Sequence, residues 1–365
     1  QSTRNYGMHR RLVNCHLSSQ QADIFDNFFT ADDESASSAI DKLKKMTTSS
    51  HYRRLIWILP VAILLLAFYN IARSFEIKLW WTNKLKNHQY YISTTFDIPG
   101  YGNLMFQYAS LVGIAAKSGK NAVLPSSMKL CNIFEIPELK WNLSRPGEEW
   151  GKVVEKQHSA YDSKVDNLQF DHNIEVVGYL QSWKYFEGYE SQLRKSFTFK
   201  DSILKNAESF LQNVSATLKK NSPNPLYIGV HVRRGDFLKK QFVQHGYTVA
   251  DKDYIEKAMK HFEKKYSQNS VIYVVASDDL PWCKQNMPSS ENVIFSENHI
   301  SAVDMAVMSL CNHTIMTVGT FGWWSAWLAG GDVIYYKNFP LLNSRLSNSF
   351  SQSKDDYFPP QWIGF

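Results

Sequence analysis

Between residues 226 and 336 short apolar runs alternate with stretches of helical period, and that alternation limits the fold more than any other feature. LYIGVHV (226–232), VIYVVAS (271–277), NVIFS (292–296), HTIMTV (313–318) and DVIYY (332–336) read as strands. DKDYIEKAMKHFEKKY (251–266), SAVDMAVMSLC (301–311) and WWSAWLAG (323–330) read as the helices between them. Nearly unbroken apolar strands separated by helices predict a parallel, doubly wound α/β sheet buried on both faces. The signal begins earlier, with YYISTTF (90–96) as a strand, a glycine turn over Pro99–Asn103, and a helix over LMFQYASLVGIAAKSG (104–119). NAVLP (121–125) and IEVVGYL (174–180) read as strands, and SILKNAESFLQNVSATLKK (202–220) as a helix. The Pro-rich cluster at 221–225 is the clearest linker. The chain therefore predicts two Rossmann-like lobes facing across a cleft.

A second feature sets the compartment. LIWILPVAILLLAFYNIA (55–72) carries no charge over 18 residues; as a helix it reaches roughly 27 Å, about the thickness of a bilayer core. Lys42, Lys44, Lys45, Arg53 and Arg54 crowd its N-terminal side, whereas Arg73 and Lys78 alone follow closely. That asymmetry predicts a single-pass type II signal-anchor with the C-terminal part across the membrane. The expected organisation is a largely disordered cytoplasmic tail (1–54), an anchor (55–72), a stem (73–88), a first lobe (89–221), a second lobe (222–345) and a C-terminal tail packing back on the lobes (346–365). On the lumenal side, Asn142, Asn213 and Asn312 stand in N-glycosylation triplets. Cys131, Cys283 and Cys311 would meet an oxidising compartment and form at most one disulfide. The net charge of +6 is spread without a Lys/Arg block, which excludes nucleic acid as a first expectation.

Candidate chemistry lies at strand ends, because an open parallel sheet binds ligands at its carboxyl edge. IGVHVRRGDFL (228–238) runs from an apolar strand into His231, Arg233, Arg234 and Asp236. An arginine fork bonds phosphate oxygens in pairs and stays charged at any relevant pH. One arginine can face a pyrophosphate while the other anchors the loop by pairing with Asp236; a purely structural Arg–Asp pair is the competing reading. The preceding core strand argues against an exposed Arg-Gly-Asp ligand. TVGTFGWWSAWLAGG (317–331) is a strand, glycine turn and helix whose first N–H groups, with Thr320 and Ser325, can hold phosphate oxygens. Asp304 could pair with guanine N1–H and N2–H₂, or could be an ordinary acidic residue near a helix start. Ser277-Asp278-Asp279 does not match an Asp-x-Asp metal motif, and no metal is expected.

Three segments together resemble the galactoside α-1,2-fucosyltransferases, glycosyltransferase family 11. They are PGYGNLMFQYASL (99–111), GVHVRRGDF (229–237) and DMAVMSLCNHTIMTVGTFGWWSAWLAGGDVIYY (304–336). FPPQWIGF (358–365) is similar to the family's C-terminus. The second segment is shared with α-1,6- and protein O-fucosyltransferases. The resemblance implies a glycosyltransferase B fold behind a single N-terminal transmembrane helix in the Golgi. The implied reaction is inverting, metal-independent transfer of fucose from GDP-fucose to the 2-hydroxyl of a terminal galactose on a glycan. Arg233 would bind the pyrophosphate and Arg234 would hold the loop. His231 and Asp304 would contact guanine. Thr320, Phe321 and Gly322 would line the phosphates, with Gly102, Asn103 and Gln107 also on the donor side. Asp236 and Asp97 are the candidate bases, and the subunits could pair as a homodimer. A fucosyltransferase of other linkage or to protein, or a non-catalytic lumenal glycan-binding protein, are the alternatives.

Overall fold

The computed structural model describes residues 90–125, 128–137, 150–218, 225–297 and 300–365, all within one compact unit, Gln89–Phe365. The expected tail, anchor and stem (1–88), Asn142, and linker residues 221–224 lie outside the described residues. No helix among the described residues is long and apolar enough to cross a membrane.

The first lobe is built on β1 (Tyr91–Thr94), α1 (Tyr101–Ser118), β2 (Asn121–Ala122), β3 (Gly151–Val154), α2 (Ser163–Asp166), β4 (Ile174–Val177) and α3 (Glu190–Ser196). Its strands are all parallel, in the order β2-β1-β4-β3, with Ile92 opposite both Ala122 and Ile174. Ile92, Ile174 and Val176 point into the core and are fully buried. β3 alternates half-buried and exposed residues as an edge strand, and so gives no apolar run in the sequence.

The second lobe follows α4 (Asp201–Leu218). It comprises β5 (Pro225–Val232), α5 (Lys240–His245), α6 (Lys252–Lys265), β6 (Ser270–Ser277), α7 (Leu280–Asn286), β7 (Val293–Phe295), α8 (Ser301–Ser309), β8 (His313–Met316), α9 (Thr320–Ala329), β9 (Val333–Tyr335) and β10 (Ile363–Gly364). These six strands are parallel in the order β10-β9-β8-β5-β6-β7. The last five residues of β5 are buried, as a central strand covered on both faces requires. The chain runs outward from β5 through β6 and β7, then returns to β8 on β5's other side. The strand order thus reverses at the carboxyl ends of β5 and β8, which is where such sheets hold ligands. The first sheet reverses in the same way at β1.

Helix α4 precedes the expected lobe boundary near 221 but packs on α8 of the second lobe. Its apolar face, Ala207, Leu211 and Val214, is buried, and Tyr227 of β5 donates its hydroxyl to the Leu211 carbonyl at 3.4 Å. Helix α9 is apolar almost all round and is correspondingly enclosed. Its Trp323 and Trp324 rings lie 4.6 and 5.1 Å from Phe106 of α1 and join the two lobes in one aromatic core. Truncating such a ring to alanine costs about 3–5 kcal/mol.

The C-terminal segment straps both lobes. The Asp356 carboxylate accepts from the Tyr161 amide at 3.0 Å and pairs with Lys184 at 2.5 Å. Trp323 Nε1 donates to the Tyr357 carbonyl at 2.8 Å, and β10 pairs with β9.

Candidate functional site

The loops after β1, β5, β6 and β8 converge on a cleft of about 1240 Å³ lined by both lobes. Two glycine turns meet at its centre. Gly100 and Gly319 precede α1 and α9, each at positive φ (94° and 91°), a conformation open to glycine at little cost. The two helix starts then touch: a β-carbon on Gly102 would lie 2.5 Å from the Thr320 carbonyl carbon. Thr320 Oγ1 donates to Asn103 Oδ1 at 2.8 Å, and Gln181 Nε2 donates to the same oxygen at 3.0 Å. Asn103 Nδ2 donates to the Pro99 carbonyl at 2.8 Å. Two helix N-termini, each with unpaired N–H groups and a positive dipole end, are thus joined at one point on the wall.

Beside them stands Arg233. Its amide donates to the buried Thr317 hydroxyl at 2.9 Å, fixing the chain leaving β5 to the chain leaving β8. Its guanidinium bonds Asp236 through one terminal nitrogen and Asp278 through the other, and lies 5.0 Å from the Phe237 ring centre. Those bonds use two of its five N–H donors and fix the plane of the guanidinium. Asp278 also accepts from the Arg234 amide at 2.8 Å. A β-carbon on Gly235 would stand 2.2 Å from Asp278 Oδ2, so the glycine of the Arg-Gly-Asp tripeptide makes room for that carboxylate.

Asp236 therefore pairs with Arg233, not with Arg234 as the sequence suggested. Arg234 turns away from the cleft lining, stacks on Trp282 at 3.8 Å and bonds Asp279, which also caps α7 by accepting from the Trp282 amide at 3.2 Å. Asp278, which lines the cleft, and Asp279, which holds Arg234 outside it, are residues that sequence reasoning passed over. They failed as a metal motif, but their place at the carboxyl end of β6 was the available signal.

His231 is buried at the cleft wall, with its ring 5.3 Å from that of Phe321 and tilted 28° from it. Gly322 lies beneath the ring, and Nδ1 is buried without a hydrogen-bond partner. Burial, with a smaller contribution from Arg233, pushes the imidazole down to about 3, so it is neutral at any ordinary pH. Asp304, in the first turn of α8, lines the cleft and accepts from the Ser296 hydroxyl at 2.5 Å.

The cleft thus gathers Gly102, Asn103, His231, Arg233, Asp236, Asp304, Thr320 and Phe321. Arg234, Gly322, Gln107 and Asp97 are not among its lining residues. Gln107 is fully buried and donates to the Gly178 carbonyl at 2.9 Å, holding the turn after β4 instead of a ligand. Asp97 is exposed. Away from the cleft, Asn213 lies on the exposed side of α4, whereas Asn312 Oδ1 accepts from the Tyr227 amide at 2.8 Å. Cys131, Cys283 and Cys311 are free thiols, and burial pushes Cys283 and Cys311 up to about 11 and about 12.

A model described as glycosyl transferase family 11 matches residues 65–365. Galactoside alpha-(1,2)-fucosyltransferase 2 of Rattus norvegicus is 35% identical over 282 residues, covering 74% of this chain and 76% of that protein. Galactoside 2-alpha-L-fucosyltransferase Sec1 of Mus musculus is 33% identical over 274 residues, covering 72% of this chain and 71% of that protein. Among solved structures, fucosyltransferase NodZ from Bradyrhizobium aligns at a TM-score of 0.44 and 13% identity, over 68% of this chain and 95% of that one. POFUT1 in complex with GDP aligns at a TM-score of 0.44 and 12% identity, over 68% of this chain and 99% of that one.

Proposed function

The chain belongs to glycosyl transferase family 11, and we propose that it transfers L-fucose from GDP-fucose to the 2-hydroxyl of a terminal galactose on glycans. The observation that carries the donor assignment is the junction of the α1 and α9 N-termini beside Arg233. A nucleoside diphosphate needs fixed positive charge along its phosphates, and this junction supplies two dipole ends and a guanidinium without flexible lysines. Asp304 on the same wall presents a carboxylate to the guanine N1–H and N2–H₂ pair, and His231 with Phe321 offers an aromatic surface to the base.

The reaction inverts the anomeric carbon. Negative charge grows on the departing GDP oxygen, and Arg233 is aimed to meet it. A donor held in place before reaction stabilises developing charge more than solvent can, because little reorganisation is needed. The guanidinium and the helix ends provide that charge from the protein itself, which supports transfer without a metal. Two parallel sheets whose switch points share one cleft support the glycosyltransferase B reading. Hydropathy and charge asymmetry support a type II anchor at 55–72, and with it a Golgi membrane location, a lumenal cleft and N-glycosylation.

The test incubates the whole chain with labelled GDP-fucose and a panel of β-galactosides, with and without chelator, and determines product linkage. An α-1,2 product, undiminished by chelator, is expected. Transfer to another hydroxyl or to protein would replace the linkage, loss of transfer with chelator would overturn metal independence, and GDP-fucose binding without any transfer would leave a glycan-binding protein.

A further inference from the structure

The acceptor hydroxyl loses a proton in this reaction, and neither carboxylate expected from sequence is placed to take it. Asp97 is exposed and is not among the cleft-lining residues, and Asp236 is engaged by Arg233. The lining of the cleft offers another group. Residues 341–350 cross between the lobes there. Leu341 donates its amide to the Gly246 carbonyl and Leu346 to the His245 carbonyl, both at 2.9 Å. The Ser159 amide donates to the Ser349 carbonyl at 2.8 Å, and Gln157 Nε2 donates to the Asn348 carbonyl at 2.7 Å. This bridge brings His158 of the first lobe and His245 of the second to one part of the cleft lining.

His158 is exposed to the cleft, with the Tyr179 ring edge-on at 4.7 Å, and its imidazole makes no hydrogen bond among the described residues. Tyr247 lines the same cleft as Tyr179, with its ring 4.5 Å from that of Phe237, the same ring that carries the Arg233 guanidinium. Arg233, Phe237 and Tyr247 therefore form a continuous row from the Arg233 guanidinium to the aromatic part of the wall. Sugars dock on such aromatic faces, because C–H-rich faces pack on rings while hydroxyls reach polar edges.

Resting on the fucosyl-transfer reading above, we propose that His158 is the catalytic base for the acceptor and that Tyr179 and Tyr247 form the wall against which the acceptor sugar lies. The bond from the anomeric carbon to the GDP oxygen breaks, and its electron pair leaves on the phosphate oxygen beside Arg233. The acceptor oxygen bonds to that carbon, its proton passes to the uncommitted imidazole nitrogen of His158, and the imidazolium releases it to solvent. Burial, then His245, holds the His158 imidazole below its usual range, so it is unprotonated at neutral pH. The titratable and charged groups lining that part of the cleft are His245, Tyr179, Tyr247, Asp236 and, on the bridge itself, Arg345.

The test compares the 365-residue chain with its H158Q and H158A variants. Transfer to a β-galactoside is followed from about pH 5 to 9. H158Q is expected to lose roughly 10²- to 10⁴-fold in kcat for transfer, with the KM for GDP-fucose changed by less than about threefold. The acid limb of kcat/KM should vanish, and added imidazole should restore part of the H158A rate. Transfer within about threefold of wild type, a retained acid limb, or a rise in the KM for GDP-fucose with kcat unchanged would each overturn the assignment. A wild-type chain that transfers to no β-galactoside overturns the enzyme reading itself, whereas an active wild type with an equally active H158Q overturns this inference alone.

Discussion

Gly102 and Thr320 are in backbone contact, and that contact joins the two lobes at the centre of the cleft. Any β-carbon at 102 meets main chain, which cannot swing aside as a side-chain tip can. Gly102→Ala is therefore expected to push α1 from α9 and break the Thr320–Asn103–Gln181 hydrogen bonds. The overpacking costs about 1–3 kcal/mol. GDP affinity measured by calorimetry should fall by roughly tenfold or more, and Gly102→Val should be worse. Unchanged GDP affinity in Gly102→Ala would disconnect this junction from the phosphates.

The two neighbouring arginines should separate cleanly in kinetics. Arg233→Ala removes the guanidinium proposed to face the leaving oxygen and should lower kcat by about 10²- to 10³-fold. Arg234→Ala removes a stacked, bonded guanidinium outside the cleft lining, and strands Asp279 at the start of α7. Its main effect should be on folding, about 1–3 kcal/mol by chemical denaturation, with kcat much less affected. The reverse pattern would exchange the two roles.

The alternation of strand and helix, the glycine turns and the Arg–Arg segment were legible because local pattern records them. β3 and β10 were not, since a half-exposed edge strand and a two-residue strand leave no apolar run. The placement of α4 on α8 was hidden for another reason: amphipathic period shows which face is buried, never against what. The partners of the arginines were illegible because Asp278 and Asp279 lie more than 40 residues away and meet them only through the pairing of β5 with β6. Gln107 was illegible for a related reason: it lies one turn further along α1 than the cleft-lining Asn103, where a motif position can equally serve the core.

Asp304 should govern recognition of the base and leave chemistry alone. Asparagine keeps the shape but replaces one acceptor oxygen with a donor, which then opposes a guanine N–H. Losing a charge-assisted hydrogen bond is worth about 1.5–3 kcal/mol. Asp304→Asn should therefore raise the KM for GDP-fucose by roughly 10- to 100-fold with kcat changed little. Ser296→Ala, which removes only the hydroxyl donated to Asp304, should shift KM less. A fall in kcat without a rise in KM would place Asp304 outside guanine recognition.

Glu155 links pH to the integrity of the same cleft. Its carboxyl is buried beneath the turn after β4, accepting from the Leu180 amide at 2.9 Å and the Tyr185 hydroxyl at 3.3 Å. Burial outweighs those bonds and pushes the carboxyl up to about 8. The unfolded chain ionises near the usual carboxylate value of about 4.3. Between these values the folded protein holds a proton that the unfolded chain has lost, so this group makes stability fall as pH rises through the window and level off above it. The slope approaches about 1.4 kcal/mol per pH unit in mid-window. Glu155→Gln keeps an acceptor for Leu180 and removes the titration. Its Tm should exceed that of wild type near pH 8.5, and the advantage should shrink or reverse near pH 5. Parallel Tm profiles would show that Glu155 ionises normally. Leu180 precedes Gln181, whose amide holds Asn103, so charging Glu155 should also weaken GDP binding at alkaline pH in wild type more than in Glu155→Gln.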